Sequence, residues 1–183
     1  MGLFNWRRSN SARETGERLR AWRRVWTAAL ERRDLVGLAA LEVEADERAA
    51  AGDDVEIEHE MLDAAHQVLA LEAELERGAL PHVETSHRVV GADACHFTAP
   101  VSMPDDAAQP SGRLLLSATR AIFVGGPRLV QIPWGAVREA RQDERDIVVA
   151  RGDQVIRFRC NTYGDALSGT AIAVRLLERA RRI

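Results

Sequence analysis

The stretch Gly112-Arg113-Leu114-Leu115-Leu116-Ser117-Ala118-Thr119-Arg120-Ala121-Ile122-Phe123-Val124-Gly125 decides how the second half of this chain is read. Two short apolar runs flank a Ser-Ala-Thr-Arg break, and Gly125-Gly126-Pro127 closes the second run. Short apolar runs rich in Ile, Val and Phe and bounded by turn residues read as strands. Strands are therefore expected over 113–118 and 121–124, with a third over 128–133 after the Gly-Gly-Pro turn.

Working outward, the upstream chain gives a candidate strand over 82–90, a Gly91-Ala92-Asp93 turn and a strand over 94–101. Pro104 to Gly112 is loop by composition. Downstream, Trp134–Val137 reads as a short turn or strand. Segments 146–150 and 155–160 flank Arg151-Gly152-Asp153-Gln154, a hairpin signal because Gly and Asp accept the positive φ such turns need. Along 155–160, Ile156, Phe158 and Cys160 share one face and Arg157 and Arg159 the other. A sheet with one buried and one wet face is expected. A final helix follows, capped by Asp165, with Leu167, Ile172, Leu176 and Leu177 on its apolar side and arginines near its C-terminal end.

The first eighty residues have helical spacing instead. Residues 1–12 show little periodicity. From Thr15, Leu19, Trp22, Val25, Trp26, Ala29 and Leu30 make one stripe. Asp34 can cap a second helix, and a third runs from after Asp53-Asp54 to about Arg77, ended by Gly78 and Pro81. The expected fold is α+β: a helical region over 1–80, then an antiparallel β-barrel or sandwich over 81–183 closed by a C-terminal helix.

The 112–125 stretch resembles the central hairpin of GRAM-type and bacterial PH-like domains: a Gly, a strand, a Thr-x-x-Arg-like turn and an aromatic strand ending in Gly. Ile132-Pro133 followed by Val137 is similar to that family's next strand. The resemblance covers about residues 82–182, and its specific part is 112–137. The sequence departs from the pattern in placing Ser117-Ala118 before Thr119. The resemblance implies a PH-like scaffold that binds lipids, phosphorylated head groups or proteins, and it implies no catalysis.

All 25 basic residues are arginine, which with the many alanines points to a GC-rich coding bias and a bacterial source. The net charge of −3 conceals blocks: +6 over residues 1–33, −12 over 34–80 and +3 over 81–183. Such blocks can attract one another within a chain or between two chains, so a homodimer is compatible with them. No apolar run approaches the roughly 18 residues of a membrane span. The N-terminus carries no secretory signal, and Trp6 stands where a myristoylation pattern needs Ser or Thr. Cys95 and Cys160 fit no metal or redox spacing and read as reduced, partly buried apolar residues. The expected location is cytoplasmic, with peripheral membrane contact as the variant.

Nucleotide-loop, nucleophile-elbow and zincin motifs are absent. His59 and His66 share a helix face within a solvated acidic stripe, and His87 and His96 flank Gly91 as candidate cross-strand neighbours. Neither set meets the requirements of a catalytic or metal site. A non-enzymatic module without cofactor or metal is expected, engaging a protein or peptide. Candidate ligand-binding residues are Arg113, Arg120, Arg128, Arg157 and Arg159, which could hold a phosphate if they converge. Arg157 and Arg159 are expected to be dispensable for folding. Phe4, Trp6, Arg7 and Arg8 are the candidate membrane contacts, suited to an anionic surface. Nucleic acid is disfavoured, because Trp22 and Trp26 lie on the apolar helix stripe, which is usually core.

Overall fold

The computed structural model describes residues 3–182, with side chains from residue 16 onward. The membrane-contact candidates Phe4, Trp6, Arg7 and Arg8 therefore lie outside the described side chains. The chain divides into two compact units, Met1–Leu62 and Asp63–Ile183.

The first unit is helical. Helix α1 is Leu3–Glu31, α2 is Leu35–Ala50, and α3, Glu56–Glu76, begins in this unit. The α1 bounds start well before the Thr15 onset read from periodicity. Asp34 caps α2 as expected, its carboxylate accepting the Gly37 N–H at 2.9 Å. Trp22 and Trp26 are buried, and the Trp26 indole donates to the Met61 carbonyl at 3.0 Å. Arg18 meets Asp53 at 2.8 Å. Both contacts join residues 35 apart in sequence, so α1 and the start of α3 run in the same direction. With both indoles enclosed in helix packing, neither ring is presented for stacking on bases.

The boundary between the two compact units falls inside α3. The reason is visible in the core: Leu75 is buried within the hydrophobic cluster of the β-rich unit, and Leu71 and Leu80 pack against it.

That unit is a seven-stranded antiparallel sheet with a closing helix. Its strands are β1 Cys95–Ser102, β2 Ser111–Ser117, β3 Arg120–Gly125, β4 Arg128–Pro133, β5 Glu139–Asp143, β6 Asp146–Arg151 and β7 Gln154–Cys160. Their order is β4-β3-β2-β1-β7-β6-β5. β1 meets β7 only at Val101↔Cys160 and Ser102↔Arg159, so a four-strand and a three-strand meander join at one short corner. Helix α4, Tyr163–Ala180, packs Ile172, Ala173, Leu176 and Leu177 onto the core from both meanders. This is the α+β layout expected, and the one a PH-like resemblance implies.

Several local expectations change. Residues 82–90 form no strand; they run as an extended strap ending in a 3-10 turn at Arg88–Val90. Half-buried and exposed residues alternate along the strap, which explains the strand-like pattern. Yet it lies across the sheet face rather than beside an edge, with one backbone bond from the Val83 N–H to the Cys95 carbonyl at 2.8 Å. Val83, Val89 and Val90 cover Leu115 and Ile122 there. Both faces of β2 and β3 are thus buried, contrary to the single buried face expected. That arrangement also accounts for the unbroken Leu114-Leu115-Leu116 run, since a strand covered on both sides needs no alternation.

Residues 134–136 form a 3-10 turn that seats Trp134 in the core, its indole donating to the Ser117 carbonyl at 2.8 Å. Strand β5, Glu-Ala-Arg-Gln-Asp, was not expected. Only Ala140 is buried, so tertiary pairing with β6 overrides a polar, weakly strand-forming sequence. The α4 cap is Thr162, whose hydroxyl accepts the Asp165 N–H at 3.1 Å; Asp165 sits in the first turn.

Candidate functional site

The cross-strand register sorts the five candidate arginines. Arg113 pairs with Val124 and Pro100, Arg128 with Gly125, and Arg159 with Ser102 and Asp146. These three positions lie toward the end of the sheet where the β1–β2 loop leaves, with Arg157 two residues behind Arg159. Arg120 stands at the opposite end, paired with Pro133. Its guanidinium donates to the Val89 carbonyl of the strap at 3.3 Å.

The four arginines at the loop end do not form a bare basic pocket, because acids stand among them. Arg128 meets Asp106 at 3.0 Å, and Arg157 lies 3.6 Å from Asp105; both acids belong to the β1–β2 loop. Arg157 also reaches Asp143 at 2.8 Å and Asp146 at 3.3 Å. Arg159 forks onto Asp146, with Nε at 2.8 Å from Oδ1 and Nη2 at 3.2 Å from Oδ2. Arg113 donates to the Thr98 hydroxyl at 3.3 Å. Hydrogen bonds to Asp143 and Asp146 hold the Arg157 guanidinium protonated above its usual range, and Asp146 does the same for Arg159. The face bearing Arg157 and Arg159 is therefore not simply wet. It covers Asp146, whose exposure is 2%.

These acids were not singled out from sequence. The signal was present: a four-residue Arg-Gly-Asp-Gln hairpin turn closed by the Arg151↔Gln154 pair places Asp146 opposite Arg159.

The histidines do not assemble. His96 lies in β1 with Nδ1 at 2.6 Å from the Pro81 carbonyl, while His87 precedes the 3-10 turn of the strap, so they are not partners across a hairpin. An open groove of about 380 Å³ runs beneath the strap, lined by His82, Glu84, Thr85, Asp93 and Cys95 among others. Two of its polar side chains, Asp93 and Thr85, are engaged in structure. Thr119 donates its N–H and hydroxyl to Asp93 at 3.1 and 2.6 Å, and the Thr85 hydroxyl accepts the His87 N–H at 3.2 Å. Cys95 is buried, and burial foremost pushes its thiol above the usual range, which is the reverse of activation. Among the described residues no group of three or more His, Cys, Asp or Glu is placed to hold a metal ion. None of the described helices is long and apolar enough to cross a membrane.

The sheet order leaves β4 and β5 as terminal strands. α4 packs along β5, whereas β4 has no further strand beside it among the described residues. The Trp134 N–H bonds the Thr119 carbonyl at 3.1 Å, which sets the alternation of the β3–β4 ladder. In that alternation Arg128, Val130 and Ile132 direct their backbone groups at β3, and Leu129 and Gln131 direct theirs outward. Leu129 is 49% exposed.

No family model matches the chain, and a search of curated proteins finds no match. Three solved structures are similar to parts of it. One is the C-terminal domain of an unknown protein from Leishmania infantum, 12% identical, with a TM-score of 0.43; the match covers 49% of this chain and 89% of that one. The second is the N-terminal PH domain of human ARAP2, 11% identical, with a TM-score of 0.38, covering 46% and 80%. The third is an N-terminally truncated linker-DH/PH fragment of p115-RhoGEF, 10% identical, with a TM-score of 0.42; it covers 67% of this chain, which spans only 43% of that fragment. All three scores are low, and the architecture rests on the strand order itself.

Proposed function

We propose that the sheet unit is a cytoplasmic, non-catalytic binding module, PH-like and of GRAM type, that takes an extended peptide of a protein partner as an added strand on β4. The observation that carries this reading is the outward row of backbone donors and acceptors at Leu129 and Gln131, beside the half-exposed Leu129 side chain. An open strand edge is a template for pairing, and an adjacent apolar side chain gives a peptide something to bury. The arginine end of the sheet supports it by contrast. Arg128, Arg157 and Arg159 already have carboxylate partners, so a phosphorylated head group would have to displace Asp105, Asp106, Asp143 and Asp146.

Peptides selected on the full chain from a random display library test the reading. Gln131→Pro removes an outward N–H and leaves the bonds to β3 in place. Loss of that hydrogen bond to the peptide backbone should weaken the selected peptides about tenfold. Unchanged affinity in Gln131→Pro would count against the β4 edge. Salt-reversible sedimentation with anionic vesicles, with no peptide selected, would overturn the peptide reading in favour of membrane contact through Phe4, Trp6, Arg7 and Arg8.

A further inference from the structure

Helix α2 has two apolar faces, and only one is used within the unit. Leu38, Leu41 and Ala45 are buried. On the opposite side Val36, Ala39, Ala40 and Val43 form a second stripe at helical spacing. All four are exposed, Val36 at 81% and Val43 at 58%. An exposed run of this kind, on a helix already fixed in place, has the i, i+4, i+7 pattern of a helix–helix seam. Its centre is two alanines, small enough to let two helix axes approach closely, toward the short end of the usual 8–10 Å range.

The charges at the two ends of the stripe differ in sign. Arg32, exposed in the α1–α2 turn, stands at the N-terminal end. Glu47, exposed, continues the stripe toward the C-terminal end. A surface with an apolar centre, a basic end and an acidic end is complementary to itself when turned end for end, as a two-fold interface requires.

We propose that the exposed face of α2 is a dimerisation surface whose occupant is α2 of a second copy of this chain, packed antiparallel. The two-fold axis passes between Ala39 and Ala40. Val36 of each copy then lies against Val43 of the other, and Arg32 of each lies beside Glu47 of the other. A parallel pairing would bring like charges together at both ends and is disfavoured. The surface lies wholly in the helical unit, and its test is independent of peptide binding at β4.

Sedimentation velocity of the full chain over a concentration series tests this. The native chain is expected to associate to a dimer. Val43→Glu should shift the equilibrium strongly to monomer with unchanged helical circular dichroism, because the site is exposed and Glu is a better helix former than Val. Arg32→Glu and Glu47→Arg should each weaken association about tenfold, since each change affects two symmetry-related pairs, and the combined Arg32→Glu/Glu47→Arg chain should recover most of the loss. A native chain that stays monomeric throughout overturns the proposal. So does a dimer indifferent to Val43→Glu, or a charge swap that fails to restore association.

Discussion

Arg159 lies directly across the β6–β7 ladder from Asp146 and grips both of its carboxylate oxygens, while Arg157 reaches the same carboxylate from two residues away. The arginines are partly open to water, but the carboxylate is not. Removing a partner from a covered charge costs more than removing an exposed charge, because the remaining group has lost its solvent and its counter-charge together. Arg157→Ala combined with Arg159→Ala should therefore lower the thermal midpoint by more than about 4 °C, and by more than the two single changes added together. Adding Asp146→Asn to the double variant should recover part of the loss. Thermal melts followed by circular dichroism compare the four variants with the native chain. Midpoints within error of native would mean that Asp146 does not depend on these arginines, in line with the expectation that they are dispensable for folding.

Asp93 ties the strap to the start of β3. Burial acts to raise its pKa, but the hydrogen bonds it accepts from the Thr119 hydroxyl and N–H, with the Arg120 charge, prevail and hold it below the usual carboxylate range. An Asp lowered on folding stabilises the fold above its unfolded value of about 3.9, and the contribution fades as pH falls through the lower folded value. Asp93→Asn should cost about 1 kcal/mol at neutral pH, a figure reduced for its partial exposure. The gap between native and variant should close below about pH 4. Urea titrations at neutral pH and in acid measure it, and a pH-independent gap would mean that the charge is not what matters.

These two acids mark how far the sequence could be read. Strand positions in 111–133 and 146–160 were legible because their apolar runs are bounded by Gly, Pro and Asp. Arg157 and Arg159 were assigned to the correct strand face, yet what they do depends on Asp146, Asp143 and Asp105, which reach them from β6, the end of β5 and the β1–β2 loop. Only the first of those is set by local hairpin register. The strap at 82–90 carries a real alternation, but alternation reports a half-covered surface and does not tell an edge from a face. β5 is held by its pairing with β6, and its own residues signal little. The β4 edge could not be identified before the sheet order was known, because strands β1 to β4 look alike in sequence.

Gly169 brings α4 close to the sheet. A Cβ there would stand 2.4 Å from the Ile147 Cδ1 and 2.9 Å from the Phe97 ring. Alanine would gain about 1 kcal/mol in helix propensity over glycine. Overpacking a filled core costs about 1–3 kcal/mol, so the steric term should win. Gly169→Ala is expected to be net destabilising by about 1 kcal/mol, and adding Ile147→Val should relieve part of it by removing the atom in the way. Chemical denaturation of the single and double variants decides; a stabilised Gly169→Ala would show that Ile147 simply rotates aside.

Cys160 sits on the inner face of β7 beside Val101 and is 3% exposed. Burial foremost, with the charges of Asp165 and Asp146, pushes its thiol up to about 12. Cys95, buried beneath the strap, is raised for the same leading reason, and both residues are free thiols. Attack on a disulfide reagent requires thiolate, so at neutral pH only about one part in 10⁵ of Cys160 is in the reactive form even before access is considered. Ellman's reagent should find almost no thiol in the native chain and two in denaturant. The strap is held to β1 by a single backbone bond, whereas Cys160 is enclosed by both meanders and α4. Under partial denaturation Cys95 should therefore become reactive first, which mass mapping of alkylated peptides can establish. If Cys160 were labelled before Cys95, the weaker hold would lie at the β1–β7 corner instead of at the strap.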